Sequence, residues 1–250
     1  MGLRSLIRGT VFEELLFKSL TLVFGILSIF IKKEHLIKIY RKHIPFEPEM
    51  IKELTANIIE DDDFIDVGAA VGEFSMLAAK HARRVYAIEG NEGRFKTLQA
   101  NIKKYNYGNI IPIKKFISNR PGKIRIYEIV PAIKPRFNVY FNGNSDFLSI
   151  NKHEGLSEQE IEVECDTLDN ILKGEDISKV KGMKVDVEGA ELEVIEGAKD
   201  LLSHLDFILL EFHYPPSDPR FKLIQNLLIE SYNFKSTPLT RDNRYFIFKK

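Results

Sequence analysis

The feature that most constrains this chain is the segment Asp66-Val67-Gly68-Ala69-Ala70-Val71-Gly72-Glu73-Phe74-Ser75. It follows a short apolar run, Phe64–Val67, and leads into Phe74–Ala82, which has helical composition. A strand, a glycine turn and a helix in that order build open α/β sheets, whose ligands bind beyond the C-terminal ends of the strands. Gly68 lets the chain turn sharply, and Gly72 lets the helix begin close to a ligand, since neither carries a Cβ. Backbone N–H groups in such a turn can meet a polar or anionic group. A dinucleotide loop reads G-x-G-x-x-G, whereas these glycines stand four apart, with Ala69 and Ala70 between them. Asp66, which closes the strand, would crowd a pyrophosphate. It suits a cofactor that carries an α-amino group and no phosphate.

The next piece is Glu89, at the end of a second strand and 23 residues after Asp66. A carboxylate about 20 residues beyond such a loop can accept both ribose hydroxyls of an adenosine. Phe116 to Asn119, following the third strand, should border the adenine, with Ser118 or Asn119 reading the base.

The rest of the chain fits this start. Val85–Glu89 reads as a strand, Arg94–Tyr105 as a helix with Phe95, Leu98 and Ile102 on one face, and Ile110–Ile117 as a third strand. Pro121-Gly122 turns the chain into Lys123–Ile129. The stretch Val130–Gly155, with Pro131, Pro135 and Asn142-Gly143-Asn144, predicts a loop or β insertion over one face. Regularity returns with Ile161–Cys165, a short helix Thr167–Leu172, strand Met183–Val187, helix Glu191–Leu205, strand Phe207–Phe212 and helix Phe221–Tyr232. Phe234–Thr240 and Arg244–Phe248 predict a closing hairpin. The expected fold is therefore a Rossmann-like, mostly parallel sheet with an antiparallel C-terminal strand.

Residues 46–250 form this domain in our reading, and residues 1–45 an N-terminal helical extension. The extension carries eight basic residues, Arg4 and Arg8 through Lys42, against Glu13, Glu14 and Glu34. Between them Ser19–Ile31 is almost purely apolar, short of the ~20 residues that cross a bilayer. Three readings stay open: a helix packed on the domain, an interfacial helix giving peripheral membrane contact through residues 15–33, or a tilted anchor. No small-residue cleavage site follows. Across the whole chain 36 basic residues balance 36 acidic ones, which argues against a nucleic-acid partner. The one cysteine, Cys165, excludes an internal disulfide and fits a reducing compartment, cytoplasmic or at the cytoplasmic face of a membrane. Flanked by Glu164 and Asp166, it reads as packed and inert.

On these residues the chain resembles the FkbM family of S-adenosylmethionine-dependent methyltransferases. The resemblance is carried by Asp66-Val-Gly-Ala-x-x-Gly72, Glu89, Asp166-Thr-Leu-Asp169, Met183-Lys-Val-Asp-Val-Glu-Gly-Ala-Glu191, Glu196-Gly197-Ala198 and Leu210-Glu211-Phe212-His213. It implies S-adenosylmethionine as cofactor, bound by Asp66, Gly68, Ala69, Gly72, Glu89 and Ser118. It also implies O-methylation of a sugar, glycoconjugate or secondary metabolite. The family loop often has Asn where Ala70 stands, and Pro where Gly90 follows Glu89; Ala70 forgoes a hydrogen bond to the cofactor.

The second cluster, Asp186-Val187-Glu188-Gly189-Ala190-Glu191, lies at the end of an expected strand facing the same crevice. Alternation puts Asp186 and Glu188 on one face. A carboxylate at Glu191 is explained by the helix that begins there. Asp186 is expected to meet the acceptor or the methionine end, and Glu188 or His213 to take the hydroxyl proton. Asp186, Glu188, Glu211 and His213 could bind a divalent cation, but nothing in their spacing demands one and no metal is expected. The non-enzyme alternative is a cofactor-binding protein that no longer transfers methyl groups. Tyr140, Phe141 and Phe147 in the insertion are candidates to stack on a sugar ring. The sequence does not set the acceptor or the oligomeric state.

Overall fold

The computed structural model describes residues 48–129, 148–149 and 158–250. The extension over residues 1–45 and the insertion's Tyr140, Phe141 and Phe147 lie outside these. In chain order the elements are α1 (Pro48–Asn57), β1 (Asp63–Val67), α2 (Glu73–Ala78), β2 (Arg84–Ile88), α3 (Glu92–Tyr105), β3 (Ile110–Ile113), β4 (Phe116–Ile117), β5 (Gly122–Ile129), β6 (Leu148–Ser149) and β7 (Glu158–Asp166). There follow α4 (Leu168–Ile171), β8 (Val180–Val185), α5 (Glu191–Glu196), α6 (Lys199–Leu202), β9 (Phe207–Glu211), α7 (Pro219–Asn226), a π-helical turn (Leu227–Ser231), β10 (Lys235–Pro238) and β11 (Tyr245–Lys249).

Seven of the described strands make one sheet in the order β10-β11-β9-β8-β1-β2-β3. Its pairs are parallel except at β11, which runs antiparallel to β9 and β10. This is the expected Rossmann-like arrangement. Both faces are covered, so β1, β8 and β9 are buried almost throughout rather than on alternate residues. Phe64, Val85, Ala87, Phe207 and Leu209 meet Met50 and Leu54 of α1 on one face. Ile65, Val67, Tyr86, Met183 and Ile208 meet Val194, Ile195, Leu201 and Leu202 on the other. Each fully buried Val, Leu, Ile, Phe or Met side chain among them contributes ~1.5–3 kcal/mol of hydrophobic stabilisation. No helix among the described residues is long and apolar enough to cross a membrane.

Three elements differ from the expectation. The run Ile110–Ile117 divides: β3 closes the main sheet, and β4 pairs with β7 in a second sheet of order β4-β7-β5-β6. Pro112 lacks an N–H, which an edge strand tolerates, and Lys114-Lys115 separate the two pieces. Helix Glu191–Leu205 divides at Gly197, where a Cβ would sit 2.2 Å from the Ser118 carbonyl oxygen, so only glycine fits this break. Asp169 then caps α6 by accepting the N–H groups of Asp200 and Leu201. Finally, β8 ends at Val185 rather than Val187. Beyond it Glu188 (φ +54°) and Gly189 (φ +104°) form a left-handed turn.

Candidate active site

The ends of β1, β2 and β8 enclose a crevice of about 80 Å³, lined among others by Gly68, Glu89, Phe116, Ile126, Asp186 and Glu188. It opens past Gly90, Lys115 and Phe116 into a groove of about 380 Å³ between the two sheets. Ile124 and Ile126 of β5 roof the crevice, so the second sheet encloses it from one side.

At the loop after β1, Gly68 has φ +79°, and a Cβ there would lie 1.8 Å from the Asp186 carbonyl oxygen. The glycine thus allows the β1 loop to pack directly on the turn after β8. A Cβ on Gly72 (φ +92°) would meet Leu98 of α3 at 2.5 Å, so helix packing also requires that glycine. The expectation that loop N–H groups stand ready for a ligand is revised. Gly68 and Ala69 donate to the Ile88 carbonyl, Ala70 to Glu89 Oε2 (2.8 Å) and Gly72 to the Ala69 carbonyl. These donors are engaged, and the loop contributes shape rather than an anion cradle.

Glu89 is buried, and its carboxylate accepts N–H groups from Ala70 and from Asn91 (2.7 Å). Burial pushes its carboxyl up, partly offset by the Asn91 N–H, the Arg94 charge and the Ala70 N–H. A Cβ on Gly90 would lie 2.4 Å from the Phe116 ring, which explains why a bulkier residue does not follow Glu89 here. Phe116 and Ile117 line the crevice, whereas Ser118 does not: it is buried behind them, with its N–H on the Asp166 carbonyl. Asn119 binds Glu196.

Asp66 also lies beneath the crevice rather than in its wall. It is fully buried, accepts a hydrogen bond from Ser75 Oγ (2.6 Å), and faces Lys184 Nζ at 3.5 Å. Lys184, itself 3% exposed, donates to Asp186 at 3.1 Å and sits over the Phe74 ring. The ammonium therefore ties the cofactor loop to the acidic turn. Sequence reading passed over it, although a lysine inside Gly182-Met183-Lys184-Val185 is a signal of a buried partner.

The expected catalytic residues come together around His213. Its Nε2 lies 3.3 Å from Glu188, 3.5 Å from Glu211 and 3.6 Å from Asp186, and its Nδ1 lies 2.8 Å from Glu191. The turn after β8, not alternation along a strand, brings Asp186 and Glu188 to one side. Burial alone would lower the His213 imidazole. The hydrogen bond to Glu191 and the charges of Glu191, Glu188 and Asp186 outweigh it and push it up to about 9. Burial works against the Asp186 carboxylate too, but the Lys184 and His213 charges hold it below the ordinary range. Glu211 is pushed up by burial and by Asp186. It pairs with Arg244, which β11 brings in from far along the chain. Near neutral pH His213 is an imidazolium, which donates and does not accept a proton. Asp186, Glu211 and His213 each offer an atom within 4.8 Å of the others, a spacing a divalent cation can span. The imidazolium and Arg244 already supply the counter-charge, and we assign no metal. Cys165 is buried, its thiol pushed up by that burial, as expected of an inert residue.

Comparison with known proteins gives the family. Residues 66–236 match the family model described as "Methyltransferase FkbM domain". The hexuronic acid methyltransferase AglP of Haloferax volcanii is 28% identical over 205 residues, covering 82% of this chain and 77% of that protein. A probable cobalt-precorrin-6B C(15)-methyltransferase of Methanocaldococcus jannaschii is 32% identical over 79 residues, 30% of this chain and 43% of its own. Among solved structures, the methyltransferase FkbM of Methylobacillus flagellatus superposes with a TM-score of 0.51 at 15% identity. That match covers 80% of this chain, which spans half the length of the Methylobacillus chain.

Proposed function

Since this chain belongs to the FkbM family of methyltransferases, we propose that it moves the methyl group of S-adenosylmethionine to a hydroxyl oxygen of a sugar or similar small acceptor. The observation that carries the reading is one crevice with Glu89 on one wall and Asp186 and Glu188 on the other. Its chemistry fits this donor and not a dinucleotide. The loop N–H groups at Gly68, Ala69, Ala70 and Gly72 are engaged within the chain, and a pyrophosphate needs such donors. A buried carboxylate with apolar walls suits a ribose diol and an uncharged base. In this reading Glu89 holds the ribose, and Gly68, Ala69 and Gly72 give the loop its close packing. Asp66 acts through Lys184, and Ser118 supports the adenine wall from behind. Residues 46–250 form the catalytic domain.

When bound, S-adenosylmethionine supplies an electrophilic methyl group whose transfer leaves a neutral thioether. The chain must hold the acceptor oxygen in line and remove its proton. His213 as an imidazolium orients the acceptor and stabilises the carboxylates around it. Glu188 takes the proton. It is 35% exposed, in contact with His213, and held at a left-handed φ that non-glycine residues seldom adopt. Asp186, bridged by Lys184, places the turn against the cofactor loop.

The similarity to a hexuronic acid methyltransferase makes hexuronosides the first acceptors to try. Incubation with methyl-labelled S-adenosylmethionine should label a hexuronoside, and mild alkali should leave the label in place if it is an ether. Loss of label in alkali would mean transfer to the acceptor's carboxylate, where no base is needed. Cofactor binding with no labelled product across uronic, neutral and amino sugars would favour a binding protein without turnover.

A further inference from the structure

We infer that Glu191 is a positioning residue for methyl transfer: its buried carboxylate holds the Nδ1–H of His213 and thereby aims Nε2 at the acceptor side of the crevice. The inference rests on the role proposed for His213 and extends it. Glu191 is the first residue of α5, and a helix start favours a negative side chain. That preference does not require burial, yet Glu191 is 0% exposed and its Oε2 is buried with no hydrogen-bond partner among the described residues. Burying a carboxylate in this way works against stability, so helix formation alone does not explain its placement.

Its Oε1 shows what the burial achieves. It accepts the Gly189 N–H at 2.9 Å and faces His213 Nδ1 at 2.8 Å. A carboxylate oxygen that already accepts an N–H is an acceptor toward the ring, so Nδ1 carries hydrogen. The opposite nitrogen then points at Glu188, Glu211 and Asp186. Because Gly189 follows Glu188 in the left-handed turn, one carboxylate fixes both the ring and the turn that presents the proposed base. The charged groups facing this pair come from every neighbouring element. They are Asp186 and Glu188 from the turn, Lys184 from β8, Glu193 of α5, Glu211 and Tyr214 from and just after β9, Arg220 of α7 and Arg244 beside β11.

The test reads the ring directly. Imidazole ¹⁵N shifts are recorded on the full chain, with His213 assigned among the six histidines through His213→Gln. Wild type should titrate near 9 to an Nδ1–H neutral ring. Glu191→Gln keeps an oxygen for both N–H groups but removes the charge, and should lower the midpoint by about 1 pH unit or more. Glu191→Leu keeps the volume and should give mixed tautomers. Unchanged midpoint and tautomer in both variants would overturn the inference. Turnover of a 4-nitrophenyl hexuronide supplies a second arm. Glu191→Gln should cut kcat about tenfold or more, with the KM for S-adenosylmethionine unchanged and no further loss in the His213→Gln background. Additive losses would make Glu191 a structural support acting independently of His213, against the inference. Full turnover in His213→Gln would instead sink the role given to His213, while the ¹⁵N shifts still read the orientation.

Discussion

Two non-glycine residues held at positive φ mark where single side chains matter most. Ala70 has φ +48° in the cofactor loop, a conformation that costs an L-residue ~1–2 kcal/mol. The family's frequent Asn at this position is then explained by its tolerance of left-handed backbone as well as by any contact with a ligand. Ala70→Gly, which also loosens the unfolded chain, should raise stability by about 0.5 kcal/mol in urea denaturation; a loss of stability would contradict the strain. Glu188 has φ +54° with its carboxylate against His213. Glu188→Gln should lower kcat by about 10²–10⁴-fold with cofactor affinity unchanged, and near-wild-type kcat would remove it as base. The identity of these residues was legible in Asp-Val-Glu-Gly and in the glycine spacing, because chemistry-bearing types were clustered at strand ends. The backbone strain and the imidazolium state of His213 were not, since both arise from groups that only the fold brings together.

Elements position these side chains through close backbone approaches. The β1 loop and the turn after β8 pack with no room for a Cβ at Gly68, and α5 ends where Gly197 abuts the Ser118 carbonyl. Gly68→Ala should therefore cost ~2–4 kcal/mol and weaken S-adenosylmethionine binding together; calorimetry and thermal melts on one sample check both. Wild-type affinity in that variant would show that the approach is dispensable. Strand and helix identities followed from apolar runs and facing patterns, as with Phe95, Leu98 and Ile102 along α3, while the caps Asn91 before α3 and Thr167 before α4 emerge only in the structure. Boundaries were less legible. Gly197 within Glu191–Leu205 was a local breaker that the expected helix ran through, whereas nothing in Ile110–Ile117 shows that its two halves join different sheets. Arg244 was missed because its partner Glu211 lies on another strand, and Lys184 although its charge inside β8 pointed to a buried partner.

At the scale of the whole molecule, the His213 cluster couples the site to stability. Its imidazole sits near 9 in the folded chain against ~6.5 when unfolded. The stabilisation is therefore complete below pH ~6.5 and is lost as pH rises through about 9, amounting to something on the order of 3 kcal/mol. Urea denaturation across that window should show the loss in wild type and not in His213→Gln; equal slopes would contradict the geometry. Because His213, Lys184 and Arg244 already place positive charge among these carboxylates, turnover should survive exhaustive chelation, and loss restored by a divalent cation would reverse that assignment. For residues 15–33, we propose peripheral membrane contact, which partition of the full chain onto anionic vesicles tests against neutral ones.

The most direct test of the account is a calorimetric titration of S-adenosylmethionine into wild type and Glu89→Ala, with NAD as control. Wild type should bind in the micromolar range, weakened about tenfold or more when the buried carboxylate that receives the ribose is removed, and NAD should not bind. A folded sample that fails to bind S-adenosylmethionine, or a Glu89→Ala chain that binds it equally well, would contradict the account.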